Sequence, residues 1–461
     1  MSATGCGCGE GRTLGLCLIV RDESETIERC LLSVLAVVDE VLVIDTGSRD
    51  DTADKARRLG ANVVRVRWSG SFASARNAAL DRLGSDWVLM LDADEVLAAE
   101  DRDRVRELLS GCVEGYFLPV LSFLGGGEHD FTLDYRLSLF RLRHDYRFGQ
   151  RLHEDISSAI VASRPDAALP IAPVRLLHYG YTDAVYRKKH KARRNRRLLL
   201  REIRETGRQG RLLYFLGIEE LRGGRLRTGL DLLCESRSSM EPSAPQYRDV
   251  VRELAMAAIE LGRLDLAASA LEEGAARWPR YTDILFLQGV LAVARRNLED
   301  AVCRFDDCLS LGEAPMGFAS MAGVGSYRAY AAKATVLMMQ EHLSEAYISY
   351  LKALALAPEW AALVSQIAAL LAAMPPEEAA RRVEQIRSLV GANVRRFAPS
   401  LWRSGRRDLA IRAEVPEQAP VAFLQLAQEI VSEGLVLAGE GQSNGRSSAS
   451  RLNDQRRDGR I

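Results

Sequence analysis

Two aspartates one residue apart, Asp92-Ala93-Asp94, close the apolar run 87–91. Paired carboxylates at the end of a buried strand can hold a hard divalent cation, and such a cation can grip a diphosphate. A lone Asp-x-Asp is common in exposed turns, so its weight comes from its place. Two more polar clusters close apolar runs: Arg21-Asp22-Glu23 after residues 14–20, and Asp45-Thr46-Gly47-Ser48 at the end of 41–45. Ligands of parallel sheets gather at the carboxyl ends of the strands, so the three clusters predict one rim. Other signatures fail. No Gly-x-Gly-x-x-Gly follows the first strand, and no Gly-rich loop ends in Lys-Ser/Thr; dinucleotide and P-loop chemistry are excluded. His153-Glu154 begins like a zinc-protease motif, but Ser157 stands where the second His belongs. Gly441-Gln442-Ser443-Asn444-Gly445 has nucleophile-elbow spacing but lies in a polar tail with no helical pattern after it.

Positioning such a rim takes a sheet. Residues 14–20, 41–45, 63–66 and 87–91 are short β-rich runs, and 24–37, 51–59 and 73–83 between them have helical periodicity. That alternation predicts a doubly wound parallel sheet covered on both faces. Runs 116–123, 135–142 and 174–181, around Gly125-Gly126-Gly127 and a Pro/Ala-rich stretch, predict a mixed extension of the same domain. Residues 186–211 form a basic helical pattern, offset only by Glu202 and Glu205. It reads as a solvated helix joining two domains, or as a face for anionic lipid, diphosphate or an acidic partner.

Every later segment is helical in pattern. Small residues recur: Ala267 and Ala301 are 34 positions apart, and the next interval, to Ala346, is 45. The excess fits a loop around 313–325, and an earlier, weaker unit contains Leu216-Gly217. Helix pairs at this period resemble tetratricopeptide (TPR) repeats; an unrelated all-α bundle is the alternative. The helical pattern continues over 361–436, and the Ser/Gly/Arg/Asp-rich residues beyond predict disorder.

Composition narrows the class. The 461 residues suggest about two to four domains, and 47% hydrophobic residues suffice for a core. Lys plus Arg equals Asp plus Glu, 62 each, so no global charge argues for nucleic acid. Eight scattered cysteines suit free thiols in a reducing compartment, and Cys6-x-Cys8 lacks a second pair for zinc. The N-terminus lacks a secretory pattern, and the seven-residue run 14–20 is too short to span a bilayer. A soluble cytoplasmic protein is expected.

Five blocks in order carry a resemblance: residues 16–23 (LCLIVRDE), 41–52 (VLVIDTGSRDDT), 72–77 (FASARN), 86–95 (DWVLMLDADE) and 148–155 (FGQRLHED). They resemble the family 2 glycosyltransferases of GT-A fold, in the bacterial subgroup whose catalytic domain is followed by a TPR-like region. That subgroup includes lipopolysaccharide-core sugar transferases and the S-glycosyltransferases of bacteriocin peptides. Arg21-Asp22-Glu23 departs from the Lys-Asn-Glu common in relatives. The resemblance implies an α/β GT-A domain, Rossmann-like and nucleotide-sugar-binding, over residues 13–182. A basic linker helix (183–211), an all-α TPR-like helical repeat domain (212–436) and a disordered tail (437–461) would follow.

It also implies roles. Val20, Asp22, Glu23, Asp45, Arg76, Asn77, Asp92 and Ala93 would bind a nucleotide sugar, with uracil as the base by analogy. Asp45 would meet the base, unless it only caps the turn after it. Arg76 and Asn77 would open a helix near the diphosphate, and Asp92 would reach the ribose or sugar. Asp94 would hold Mg²⁺ or Mn²⁺, with His178 as a second ligand or else a structural histidine. Inversion by direct displacement needs a base for the acceptor proton. Glu154 is the choice, oriented by His153, with Asp155 and Asp134 as competitors.

The acceptor would be a hydroxyl or thiol on a saccharide, a lipid-linked glycan or a peptide. The repeats would dock that acceptor or a second copy of the chain as a homodimer. Neither a nucleic acid partner nor a transmembrane segment is expected, and the basic helix leaves room for a peripheral place at the inner membrane face. A non-catalytic nucleotide-binding TPR scaffold is the alternative. A nucleotidylyltransferase would need a Gly-rich basic loop after the first strand, and Arg21-Asp22-Glu23-Ser24 is not one.

Overall fold

Strict alternation within apolar runs builds the sheet. In β1 (Leu14–Val20) the side chains of Leu14, Leu16, Leu18 and Val20 enter one core, while Cys17 enters the other. In β2 (Glu40–Asp45) Val41 and Val43 separate likewise from Leu42 and Ile44, and in β4 (Trp87–Asp92) Trp87, Leu89 and Leu91 separate from Val88 and Met90. A strand buried on both faces must be apolar at every position, so these runs were continuous in sequence. The computed structural model describes residues 11–125, 127–180 and 191–414. The chain divides into two compact units, Met1–Val336 and Leu337–Ile461.

The remaining strands are β3 (Asn62–Arg65), β5 (Glu95–Leu97), β6 (Gly115–Phe123), β7 (Phe131–Arg141), β8 (Leu176–His178) and β9 (Ser320–Met321). The sheet order is β3-β2-β1-β4-β7-β6-β8-β5, with β9 paired to β7. The first four strands in that order are parallel, and β7 is antiparallel to β4. Helices α1 (Ile27–Val34), α2 (Thr52–Arg58) and α4 (Arg102–Leu108) pack on one face, and α3 (Phe72–Leu80) and α5 (Ser157–Ser163) on the other. Ser71 caps α3 by accepting the Ser74 amide at 3.2 Å. The expected strands 14–20, 41–45, 63–66, 87–91 and 116–123 appear within a residue or two. Two were not foreseen: β5 has three residues and β9 two, too short to show a period.

Helices follow from residue 191: α6 (Lys191–Thr206), α7 (Gly210–Arg222), α8 (Leu226–Ser239), α9 (Tyr247–Glu260), α10 (Leu264–Arg277), α11 (Thr282–Ala294), α12 (Leu298–Leu311) and α13 (Tyr327–Met339). The basic segment is not one solvated helix. It ends at Thr206, and Gly207, at φ +88°, turns the chain into α7. Its buried Leu198 and Leu199 form an apolar face, and Leu199 packs with Leu152, Leu212, Leu213, Leu216 and Leu232. Arg196 and Arg208 pair with Glu220 and Glu235, so part of the basic charge is met within the helical region. Residues 186–190 of the expected helix lie outside the described residues.

The long interval between repeats has a structural use. Its loop carries β9, which pairs antiparallel with β7 through Thr132↔Met321 and Leu133↔Ser320. Asp283 at the start of α11 fixes the loop, accepting the Ser320 hydroxyl at 2.6 Å and the Met321 amide at 3.0 Å. Tyr327 donates to the carbonyl of His129, and Arg328 pairs with Asp130 at 2.6 Å. A repeat insertion thus extends the N-terminal sheet.

The second unit contains α14 (Leu343–Leu356), α15 (Ala361–Ala373), α16 (Pro376–Val390), α17 (Ala398–Arg403) and α18 (Arg407–Glu414). Ala346, Tyr350, Ala353, Ile367, Leu371 and Val383 are buried in it. The expected helix over 415–436, the disordered tail and the Cys6-x-Cys8 pair lie outside the described residues. Cys17, Cys30, Cys234, Cys303 and Cys308 are free, but Cys112 is disulfide-bonded, against the expectation of free thiols. No helix among the described residues is long and apolar enough to cross a membrane.

Small residues mark the helix contacts. A Cβ on Gly289 of α11 would lie 2.7 Å from the Phe305 ring of α12. Gly289→Val should therefore lower stability by about 1–3 kcal/mol through overpacking. A thermal melt followed by circular dichroism checks this; an unchanged midpoint would mean the two helices do not pack through that contact.

Candidate active site

The site is assembled around a buried guanidinium. Arg76 in α3 is 3% exposed, and donates from Nη2 to Asp92 Oδ1 at 2.7 Å and from Nε to Glu154 Oε1 at 2.6 Å. Arg136 on β7 approaches from the opposite side, at 3.3 Å from Asp92 Oδ2 and 2.5 Å from Glu95 Oε2. Each oxygen of Asp92 thus meets one arginine. Burial disfavours charge here, yet Arg76 and Arg136 outweigh it and hold the Asp92 carboxyl below its usual range. Burial likewise pulls Arg76 down, and Glu154 and Asp92 more than reverse it. Arg136 follows the same rule with Glu95 and Asp92.

Asp94 is buried beside His178, with Nε2 at 3.6 Å from Asp94 Oδ1. The other ring nitrogen, Nδ1, is 3.0 Å from Ser122 Oγ, which fixes the ring's orientation. Pairing of Glu95 with His178 between β5 and β8 brings the two together. Gly180 keeps the spot open: a Cβ there would lie 2.2 Å from Asp94 Oδ2 and 2.5 Å from His178 Nε2. No group of three or more His, Cys, Asp or Glu among the described residues is placed to hold a metal. Asp94 and His178 would supply two ligands of a six-coordinate cation, the others coming from a bound diphosphate and water.

The rim forms at the first two strand ends. Asp45 Oδ1 accepts the amides of Gly47 at 3.0 Å and Ser48 at 2.7 Å, the turn-capping role. Asp22, at φ +54°, accepts the Arg49 amide at 2.7 Å, and its own amide donates to Ser48 Oγ at 3.1 Å. Val20 is paired with Asp45 in the β1–β2 register, Ala93 is buried, and the Glu23 amide donates to Thr52 Oγ1 at 2.8 Å.

Three expectations need correction. Arg76 and Asn77 do not open a helix; they lie inside α3, and Ser71 caps it. The Asn77 side chain spends both ends on the Phe148 backbone, at 3.0 and 2.9 Å, and so pins the segment that carries Glu154. His153 does not orient Glu154. Its ring stacks on Phe215 of α7 with centroids 3.8 Å apart, and no hydrogen bond joins it to the carboxylate. Burial, with Arg222 and Arg211 nearby, pulls that imidazole down to about 3, so it is neutral near pH 7.

The competitors for the base separate as well. Asp155 accepts the amides and hydroxyls of Ser157 and Ser158 at the start of α5, so both its oxygens are engaged. Asp134 is exposed on β7 and accepts the Tyr135 amide. Glu154 alone shares Arg76 with Asp92. Sequence reasoning missed Arg136 and Glu95 as members of the network; the available signal was a charged residue one strand step beyond Asp134.

Residues 16–155 match the family model "Glycosyl transferase family 2". A TPR repeat-containing protein of Synechococcus elongatus is 32% identical over 55% of this chain and 64% of its own length. The SPbeta prophage-derived glycosyltransferase SunS of Bacillus subtilis is 27% identical over 44% of this chain and 48% of its own. An uncharacterised glycosyltransferase of Rickettsia conorii is 38% identical over 20% of this chain and 33% of its own. The chain therefore spans between a third and two thirds of these relatives. Residues 16–155 carry a family 2 glycosyltransferase domain, joined to TPR-like helical repeats.

Proposed function

We propose that the chain is an inverting glycosyltransferase that moves a sugar from a nucleoside diphosphate sugar, a UDP-sugar by analogy, to an acceptor hydroxyl or thiol. One observation carries this: Arg76 holds Glu154 and Asp92 at once, which sets a candidate base beside the strand-end aspartates. Glu154 takes the acceptor proton as the bond to the anomeric carbon forms. Arg76 holds that carboxylate in place, and Asn77 and Asp155 fix the backbone on either side of it.

Asp45 keeps Oδ2 for the nucleobase while Oδ1 caps its own turn. Arg136 and Arg76 position Asp92 for the ribose or sugar. A divalent cation, Mg²⁺ or Mn²⁺, held by Asp94 and His178 would supply counter-charge for the departing diphosphate. The helical region docks the acceptor or a second copy of the chain. A non-catalytic scaffold is disfavoured, since Arg76, Asp92 and Glu154 are present and joined by hydrogen bonds.

Asp94→Ala should reduce turnover by about 100-fold or more, and excess EDTA should reduce it equally. Undiminished donor hydrolysis in either case removes the metal role. Glu154→Gln keeps the acceptor oxygen for Arg76 but not the basicity. Calorimetry should find UDP-sugar affinity retained while transfer collapses; equal loss of both would make Glu154 a donor-site residue. Gly180→Ala should raise the Mn²⁺ concentration needed for half-maximal turnover, because the new methyl group crowds Asp94 and His178. An unchanged Mn²⁺ titration would place the cation elsewhere.

A further inference from the structure

Arg211 and Tyr214 stand three residues apart on α7 and so share one face of it. Arg211 donates Nη2 to the carbonyl of His153, and its charge is coupled to Asp155, Glu202 and Glu154. Its Nη1 is buried with no hydrogen-bond partner. Tyr214 is half-buried, in the field of Asp249 and Glu253 from α9 and Asp134 from β7. Asp249 Oδ1 is also buried without a hydrogen bond, and Arg248 Nε stands 3.8 Å away. Burial, with Asp134 adding to it, raises the Asp249 carboxyl to about 6 against the pull of Arg252 and Arg248.

Asp134 is two residues from Arg136 on β7, so both lie on one strand face, and Arg136 holds Asp92. Asp134 acts electrostatically on both Asp249 and Tyr214, and Glu154 acts on Arg211, so the groups lie near one another around the site. With Arg248, Arg252 and Glu253 included the charges cancel: Arg136, Arg211, Arg248 and Arg252 stand against Asp92, Asp134, Asp249 and Glu253. A balanced wall selects neither a cation nor an anion. Buried polar atoms without partners are rare in native structures. Here Arg211 Nη1 and Arg248 Nε are donors and Asp249 Oδ1 is an acceptor, with the Tyr214 ring on the helix face of Arg211. A hydroxyl answers both, since it donates and accepts.

We propose that α7 and α9 carry the acceptor subsite, in which Arg211, Tyr214 and Asp249 bind a neutral, hydroxyl-rich saccharide unit and present one hydroxyl to Glu154. This rests on the glycosyltransferase reading and gives the first repeats a share in the site itself.

The test uses the full chain and three probes, the methyl β-glycosides of glucose, galactose and N-acetylglucosamine, followed by saturation-transfer NMR in the presence of UDP. At least one should bind, and Asp249→Asn and Arg211→Met should each weaken it by about tenfold or more, as expected for the loss of a hydrogen bond to a charged group. Asn has the shape of Asp and is less costly to bury, so a purely structural Asp249 predicts equal or greater thermal stability with glycoside binding unchanged. That outcome overturns the proposal. So does a wild-type chain that binds none of the glycosides, or one that instead binds a cysteine-containing hexapeptide through these residues. If Arg211→Met does not fold, Asp249→Asn decides alone. UDP calorimetry separates the two readings: a chain that binds UDP but no glycoside keeps the transferase and loses this subsite, and the reverse result sinks the donor site.

Discussion

A buried arginine must be paid in carboxylates, and Arg76 takes two from different parts of the chain. Asp92 comes from the end of a central strand, and Glu154 from a loop 62 residues later. Losing both carboxylates would leave the buried Arg76 charge uncompensated, which is strongly destabilising. The site's geometry is therefore a condition of burying α3 against the sheet. Arg136 repeats the device from the far side, tying Asp92 to Glu95.

The loop with Glu154 is held by contacts of different kinds. Asn77 grips its backbone at Phe148, Asp155 caps the helix after it, and Leu152 is buried among leucines of α6, α7 and α8. His153 turns its ring onto Phe215. Two of these anchors belong to the helical region, so the carboxylate's position depends on residues well beyond the family match at 16–155. Catalytic domain and first repeats share one compact unit.

Much of this was legible in the chain. Strands buried on both faces must be apolar throughout, so β1, β2 and β4 stood out, and with them the carboxylates at their ends. The repeat period followed from small residues at helix contacts, such as Ala267 and Ala301, which are fully buried. What stayed hidden depended on pairing between distant segments. Arg136 acquires its role only because β7 lies against β4, and His153 only because Phe215 meets it from α7. A sequence shows periodicity within a segment but not which segments become neighbours. The insertion that carries β9 showed only as an irregular interval, since two residues have no period to read.

That short strand bears on how the protein matures. Leu133 and Ser320 are separated by roughly 190 residues, and ribosomes add about 5–20 residues per second. The first half of β7 therefore waits on the order of ten to forty seconds for its last neighbour during synthesis. An unpaired strand edge invites association with other nascent chains unless charge blunts it. Asp130, Asp134 and Arg136 lie along that edge. The same residues that meet the repeats and the site in the finished protein shield the growing chain before the repeats exist.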